Sequence, residues 1–274
     1  MWYPGHINKA KNAIKKNLKI VNSIIEIVDA RAPYSSRAYE FEKLFQGKDK
    51  IIILNKADIC DLEKTKKWEE LYKKRGYKVI KTSLKDVNAR NFLIKNVAPL
   101  IPVKFNEKTA IIVGAPNVGK STFINSIKGK KSTNTGNMPG ITRGIQWVSA
   151  GNNIRILDTP GILFPELYNK SITSKLILIG SLKAEDDEAD EAVFYAYEYL
   201  KNNYPKVIKK IVDNDLHKGA YEFILEFAKK RNFIKKGGIG DYERGKMTFL
   251  KELIDGKYGK ITYDDIEEFE EIKI

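Results

Sequence analysis

Cysteine and histidine are nearly absent from this chain of 274 residues, which has one cysteine, Cys60, and two histidines, His6 and His217. A single cysteine excludes an internal disulfide, and two histidines with it are too few for a Cys/His zinc site. Long apolar runs are also missing: no stretch approaches the roughly 18 residues that a membrane helix needs. With no signal-peptide pattern at the amino terminus, we expect a cytoplasmic protein that does not contact membranes.

Acidic side chains are outnumbered, with 35 Asp and Glu against 49 Lys and Arg, a net charge of +14. The excess is uneven: residues 1–20 carry five lysines and no acid, and residues 229–246 carry seven basic and two acidic side chains. Two such patches favour RNA as a partner, because phosphate contacts dominate RNA binding. The alternative for either patch is a lysine-rich solvated surface.

Apolar runs of strand length alternate with helical segments in the first part of the chain. The predicted strands are 23–30, 50–55, 77–83, 109–115, 144–150 and 153–159, with helices at 63–76 and 119–129 and an amphipathic helix before them. This alternation predicts an α/β fold, a mainly parallel sheet with helices on both faces. Beyond residues 164–171 helical periodicity takes over. We therefore predict two domains, 1–168 and a small all-helical domain, 169–274.

The sequence GAPNVGKS at 114–121 has the spacing of a phosphate loop between a strand and a helix. Backbone N–H groups and the helix amino terminus of such a loop attract phosphate. Lys120 is placed to reach the β and γ phosphates, and the Ser121 hydroxyl to bind magnesium. The residues predicted to bind nucleotide here are Pro116, Asn117, Val118, Gly119, Lys120, Ser121 and Thr122.

Two further motifs follow the phosphate loop. DTPG at 158–161 ends a predicted strand, so Asp158 is placed to hold magnesium and the Gly161 N–H to meet the γ phosphate. Between them, Thr142 in MPGITRG can supply a second magnesium-binding hydroxyl. Their order behind the phosphate loop makes ordinary turns a poor explanation.

Asn-Lys-x-Asp at 55–58 ends another predicted strand. Guanine presents two adjacent donors that one carboxylate can accept together, and Asp58 supplies that carboxylate. Asn55 can brace the pocket or meet the base, the Lys56 stem can cover the base, and Ser83 and Leu84 can cap the guanine oxygen. Taken alone, this four-residue motif is as typical of a strand-ending turn as of a guanine pocket. Together with the phosphate loop it predicts binding of GTP over ATP.

The base pocket precedes the phosphate loop, whereas in a Ras-like GTPase it comes last. A sheet does not depend on which strand was synthesised first, so this order predicts a circular permutation. The segment after DTPG then leads directly into the helical domain, which could couple nucleotide state to partner binding.

These motifs, with WYPGH at 2–6, DARAP at 29–33, KKGG at 235–238 and GKYGKIT at 256–262, resemble the ribosome biogenesis GTPase A family over nearly the whole chain. The resemblance implies a circularly permuted Ras-like fold with GTP, GDP and magnesium as ligands. It also implies GTP hydrolysis stimulated by the pre-ribosomal particle, and a helical domain that contacts rRNA and ribosomal proteins of the large-subunit precursor. We expect a monomer.

Ile162 stands where Ras-like enzymes place the glutamine that orients water. His6 is similar to a histidine proposed as catalytic in the family, and Asn117 matches an asparagine that ligates potassium in potassium-activated GTPases. The alternatives are a histidine that caps a helix start and an asparagine that shapes the loop. A nucleotide-sensing RNA-binding scaffold with little hydrolysis is the alternative function, and an RNA-modifying enzyme is disfavoured because the helical domain shows no catalytic cluster.

DARAP follows a predicted strand at the same sheet edge as the nucleotide motifs. It could support the switch region, or it could be a turn in which the aspartate caps the strand end. The three tryptophans, Trp2, Trp68 and Trp147, are expected to pack rather than to stack on bases.

Overall fold

The computed structural model describes residues 12, 14–128, 146–159, 169–212 and 219–270. Six strands form one sheet: β1 (Ser23–Asp29), β2 (Asp49–Asn55), β3 (Lys78–Lys81), β4 (Lys108–Val113), β5 (Gln146–Gly151) and β6 (Ile154–Asp158). Each corresponds to a predicted strand. The order is β3-β2-β1-β4-β6-β5, with only the β5–β6 pairing antiparallel. All seven residues of β1 are buried, as expected for a parallel strand covered on both faces.

The α-helices described are α1 (Leu62–Lys74), α2 (Ala89–Phe92), α3 (Lys120–Lys128), α4 (Lys170–Leu178), α5 (Asp186–Asn203), α6 (Pro205–Ile211), α7 (Ala220–Lys230), α8 (Tyr242–Ile254) and α9 (Glu267–Glu270). The two helices predicted among the strands are confirmed as α1 and α3. Helix α4 lies in the part of the chain predicted to be helical, although LILIG has no polar face of its own and Leu176–Leu178 are all buried.

One buried apolar cluster runs from the sheet into the helices, joining Ile27 and Ile112 to Leu178 and Leu200. The chain after α8 then returns to the strand half, where the Tyr263 N–H donates to the Arg31 carbonyl over 2.6 Å. The division at residue 169 stays a prediction. Among the described residues, no helix is long and apolar enough to cross a membrane.

Packing explains two of the three tryptophans. Trp68 is buried, and its indole N–H donates to the Asp264 carbonyl over 3.1 Å. Trp147 lies partly buried against the cluster that holds Ile14 and Leu18 of the predicted first helix. Trp2 lies outside the described residues.

Candidate nucleotide-binding site

The phosphate loop connects the end of β4 to the start of α3, at the centre of the sheet. Gly114, the first glycine of the loop, has φ +142°, and a Cβ there would lie 2.2 Å from the Ile27 carbonyl oxygen of β1. A side chain is therefore excluded, because backbone occupies the space. The loop is seated on the neighbouring strand, at the carboxyl edge where ligands bind open α/β sheets.

Lys120 turns back onto this loop. Its ammonium donates to the Gly114 carbonyl over 2.8 Å and to the Ala115 carbonyl, and the side chain is buried. Burial lowers the pKa of Lys120 to about 7, and the charge of Asp158 opposes this only in part. Phosphate would replace two neutral acceptors with an anion, which favours the charged lysine.

Asn55 joins the predicted base pocket to the phosphate loop. Its side-chain amide donates to the Val118 carbonyl over 2.7 Å and accepts from the Leu84 N–H over 2.8 Å. Gly119 permits this approach: it has φ +112°, and a Cβ would lie 2.3 Å from the Asn55 amide nitrogen. Of the two roles predicted for Asn55, the structure shows the bracing one.

Asp58 lies beside Ser83 and Lys85. Its Oδ2 accepts from Lys85 over 2.6 Å, and its Oδ1 and the Ser83 hydroxyl are both buried. Burial alone would raise the pKa of Asp58, but the hydrogen bonds from Lys85 and Ser83 lower it. A carboxylate has about four acceptor sites, so Asp58 can still accept hydrogen bonds from a ligand. Sequence reasoning missed Lys85, although it directly follows the predicted Ser83 and Leu84.

DARAP forms a turn that is tied to the base pocket. Asp29 accepts from the Arg31 N–H over 3.0 Å and its carbonyl accepts from Ala32, so the turn alternative is confirmed. Asp29 also pairs with Lys56 over 2.7 Å, a contact that the sequence did not suggest. Lys56 itself has φ +62°. Support of the switch region by DARAP stays a prediction.

Asp158 ends β6 and is 4% exposed. Burial raises the pKa of this carboxyl, and the hydrogen bond from Gln146 with the charges of Lys128 and Lys120 offsets that only in part. A buried carboxylate at a strand end beside a phosphate loop fits a divalent cation, which would stabilise its ionised form. The next residue, Thr159, fixes the strand end by donating to the Ile112 carbonyl over 2.6 Å.

The helical half touches the phosphate loop directly. The Asn117 amide donates to the Gly180 carbonyl over 2.7 Å, and the Ser181 hydroxyl donates to the Pro116 carbonyl over 2.7 Å. Asn117 has φ +58°, in the left-handed region that asparagine tolerates. The turn at 179–181 therefore belongs to the surroundings of the site, and no motif in the sequence marks it.

The remaining predicted residues divide into two groups. Ser121 and Thr122 are exposed in the first turn of α3, and Val118 is buried in the loop. His6, Thr142 and Gly161 lie outside the described residues, as does Ile162.

The sheet order and the Asn55 bridge together define a circularly permuted Ras-like P-loop GTPase fold. The strands that carry the base pocket, β2 and β3, precede β4 in the chain and lie on the far side of β1 from β6. Asn55 nevertheless reaches the phosphate loop. Segments in permuted order thus meet at one site.

Comparison with known proteins agrees with this class. Family models described as "50S ribosome-binding GTPase" and "RsgA GTPase" match residues 109–232 and 44–168. The chain is 41% identical over 264 residues, 96% of its length and 93% of the relative's, to "Ribosome biogenesis GTPase A" of Thermotoga maritima. It is also similar to a GNP-bound YlqF structure from T. maritima (36% identity, TM-score 0.69, 94% of this chain and 99% of that one). A GDP-bound TM YlqF structure gives 35% identity and a TM-score of 0.68 over 93% and 99% of the two chains.

The chain belongs to the ribosome biogenesis GTPase A family. It spans nearly the full length of these relatives, so the likeness covers the helical half as well as the sheet.

Proposed function

We propose that the protein binds and hydrolyses GTP in the cytoplasm, as an assembly factor that associates with the large ribosomal subunit precursor in its GTP-bound form. The observation that supports this is the Asn55 bridge, which joins the segment that carries the Asp58 carboxylate to the phosphate loop. A carboxylate in that place selects guanine, and the relatives' names supply the ribosome.

Magnesium would be held by Ser121 and Asp158, with Thr142 as a further predicted ligand, and would offset the charge of the phosphates. Lys120 binds the β and γ phosphates, and the Gly161 N–H is predicted to meet the γ phosphate. With isoleucine at 162, His6 is the proposed group that orients water. Potassium beside Asn117 is the proposed source of additional positive charge.

Phosphate release from GTP, measured with and without large subunits in sodium and in potassium buffer, tests the enzyme. We expect slow turnover alone, and acceleration by both subunits and potassium. Equal rates in the two salts would remove the ion from the proposal, and unchanged stimulated turnover in His6→Ala would remove His6. Turnover that stays negligible with subunits would favour the nucleotide-sensing scaffold, which the missing glutamine motivates.

The basic segment 229–246 supports rRNA as the partner. Lys229, Lys230, Lys236 and Arg244 are exposed, and the segment 234–239 presents the exposed Ile234 and Ile239 beside its lysines. One charge counted from the sequence is not on this surface: Lys246 is buried against Asp190 and Glu243. Exposed cations next to apolar side chains suit phosphate and base contacts together.

Co-sedimentation with large subunits tests the partner. We expect binding with a non-hydrolysable GTP analogue, and weaker binding with GDP. The variant Lys229→Glu/Lys230→Glu/Lys236→Glu should lose binding and flatten its salt dependence. Lys66→Glu/Lys67→Glu/Lys74→Glu on α1 makes the same charge change at exposed positions of the sheet half and serves as the control. Equal binding by the two variants would argue against this surface.

A further inference from the structure

Arg31 is buried between the sheet and the helices, and every one of its guanidinium donors has a partner. Nε donates to Asp29 Oδ1 over 3.0 Å, and one Nη donates to Asp29 Oδ2 and the Ile179 carbonyl. The other Nη donates to the carbonyls of Leu253 and Ile254 over 3.1 and 2.9 Å. A planar fork with five donors is needed for this set, and a lysine could not supply it.

The three carbonyls lie where helices end. Ile179 follows the last residue of α4, and Leu253 and Ile254 are the last residues of α8. Carbonyls at helix ends lack the regular bonds of the helix interior and accept from other donors. The Leu253 carbonyl also accepts from the Gly256 N–H over 3.0 Å, in the turn that ends α8. Arg31, a residue of the strand half, is thus a shared cap for two helices of the other half.

The same Asp29 carboxylate also holds the base pocket. Its Oδ2 accepts from both Arg31 and Lys56, over 2.9 and 2.7 Å, and the side chain is fully buried. Burial alone would raise the pKa of Asp29, but the two cations outweigh it and hold that pKa below its usual range. The position of Lys56, whose stem is predicted to cover the guanine, therefore depends on the carboxylate that orients Arg31.

Two further contacts join the same helix end to the phosphate loop. Ile179, whose carbonyl accepts from Arg31, is followed by Gly180 and Ser181. The Gly180 carbonyl accepts from the Asn117 amide, and the Ser181 hydroxyl donates to the Pro116 carbonyl. The helix end is thus held from the base side and from the phosphate side.

We propose that Asp29 and Arg31 are positioning residues that couple guanine-nucleotide binding to the docking of helices α4 and α8 on the sheet. This inference rests on the proposed function, because it assigns the regulation of the same site. Coupling is reciprocal: if nucleotide steadies the docked helices, loss of the dock weakens nucleotide binding by the same factor. Helix α8, which carries Arg244 of the proposed RNA surface, would then report which nucleotide is bound.

The test compares Arg31→Lys with Arg37→Lys in the full chain. Arg37 forms a second buried pair with a carboxylate of β1, donating to Glu26 over 3.0 and 2.8 Å, but it packs against tyrosines of the sheet half. Affinity for a fluorescent GDP analogue is measured by titration at a temperature where both variants are folded. We expect about tenfold weaker binding for Arg31→Lys and less than a twofold change for Arg37→Lys.

Hydrogen exchange gives a readout that lost stability alone would not move. In the unaltered protein, GDP should slow exchange of the backbone amides at 179–181 and 255–257; in Arg31→Lys that slowing should disappear, and in Arg37→Lys it should persist. If Arg31→Lys fails to fold, the milder variant Ser181→Ala takes its place. It should weaken GDP binding about threefold.

Equal affinities for the two arginine variants, or no GDP-dependent slowing in the unaltered protein, would overturn the coupling. An unaltered protein that held ADP as tightly as GDP would instead overturn the proposed function.

Discussion

The two ends of the nucleotide site are built differently. On the base side, Asn55 bonds to the Val118 carbonyl and the Leu84 N–H, and Asp58 is paired with Lys85. On the phosphate side, Lys120 donates to carbonyls of its own loop. The pKa of Lys120 is lowered and that of Asp158 is raised, and both shifts favour the neutral side chain. The predicted base side is therefore held by contacts within the protein, whereas on the phosphate side bound charges would favour the ionised forms of Lys120 and Asp158.

The largest expected effect on GDP affinity comes from breaking the contact between Asn55 and the phosphate loop. Gly119→Ala would put a Cβ 2.3 Å from the Asn55 amide nitrogen at φ +112°. We expect GDP affinity to fall by about a thousandfold or more, because steric overlap adds to the roughly 1–2 kcal/mol of backbone strain. Titration of a fluorescent GDP analogue measures the loss.

The control for that variant is Gly259→Ala. Gly259 has nearly the same φ, +109°, and nothing lies within 4 Å of the place that an added Cβ would take. It should retain GDP affinity. A similar loss in both variants would mean that strain, and not contact with Asn55, is responsible.

Removing the base carboxylate should have the next largest effect. Asp58→Asn keeps the shape but loses the double acceptor, and we expect GDP binding to weaken about a hundredfold, or about 2.7 kcal/mol. Xanthine carries an oxygen where guanine has its amino group. The affinity of Asp58→Asn for xanthine nucleotides should therefore fall much less than its affinity for GDP, or rise. Asp86→Asn removes an exposed carboxylate from the loop after β3, which also carries Ser83 and Lys85, and should change neither affinity. Unchanged selectivity in Asp58→Asn would show that Asp58 does not meet the base.

The smallest effect concerns protons on the phosphate side. Free Lys120 has a pKa of about 7, and phosphate should raise it. Below pH 7, Lys120 is charged in both the free and the GDP-bound protein, so pH does not change GDP affinity through this group. Above about pH 7 the free lysine is neutral, so binding takes up a proton and GDP affinity should fall with rising pH, approaching tenfold per unit.

Calorimetry in buffers of different ionisation enthalpy measures that uptake at pH 8. Lys120→Met should bind GDP more weakly and take up no proton. Uptake that persists in Lys120→Met would assign the proton to another group.

Sequence reasoning was most successful where local pattern determines structure. The segments around Ile27 and Ile112 are apolar runs of strand length, which predict buried strands. The glycines of the phosphate loop predict its backbone geometry. The links between the halves were not foreseeable. Arg31 acts through carbonyls more than a hundred residues away, and backbone carbonyls leave no trace in residue identity. Ser181 likewise looks like any serine until its partner, the Pro116 carbonyl, is known.

The sheet order also has a consequence during synthesis. Strand β1 is central and pairs with β2 on one side and β4 on the other, yet β4 follows both β2 and β3 in the chain. A nascent chain leaving the exit tunnel therefore holds β1 with one unpaired edge until β4 emerges. An apolar edge of that kind invites misassembly, so this chain order favours either rapid translation through the phosphate loop or a chaperone over that edge.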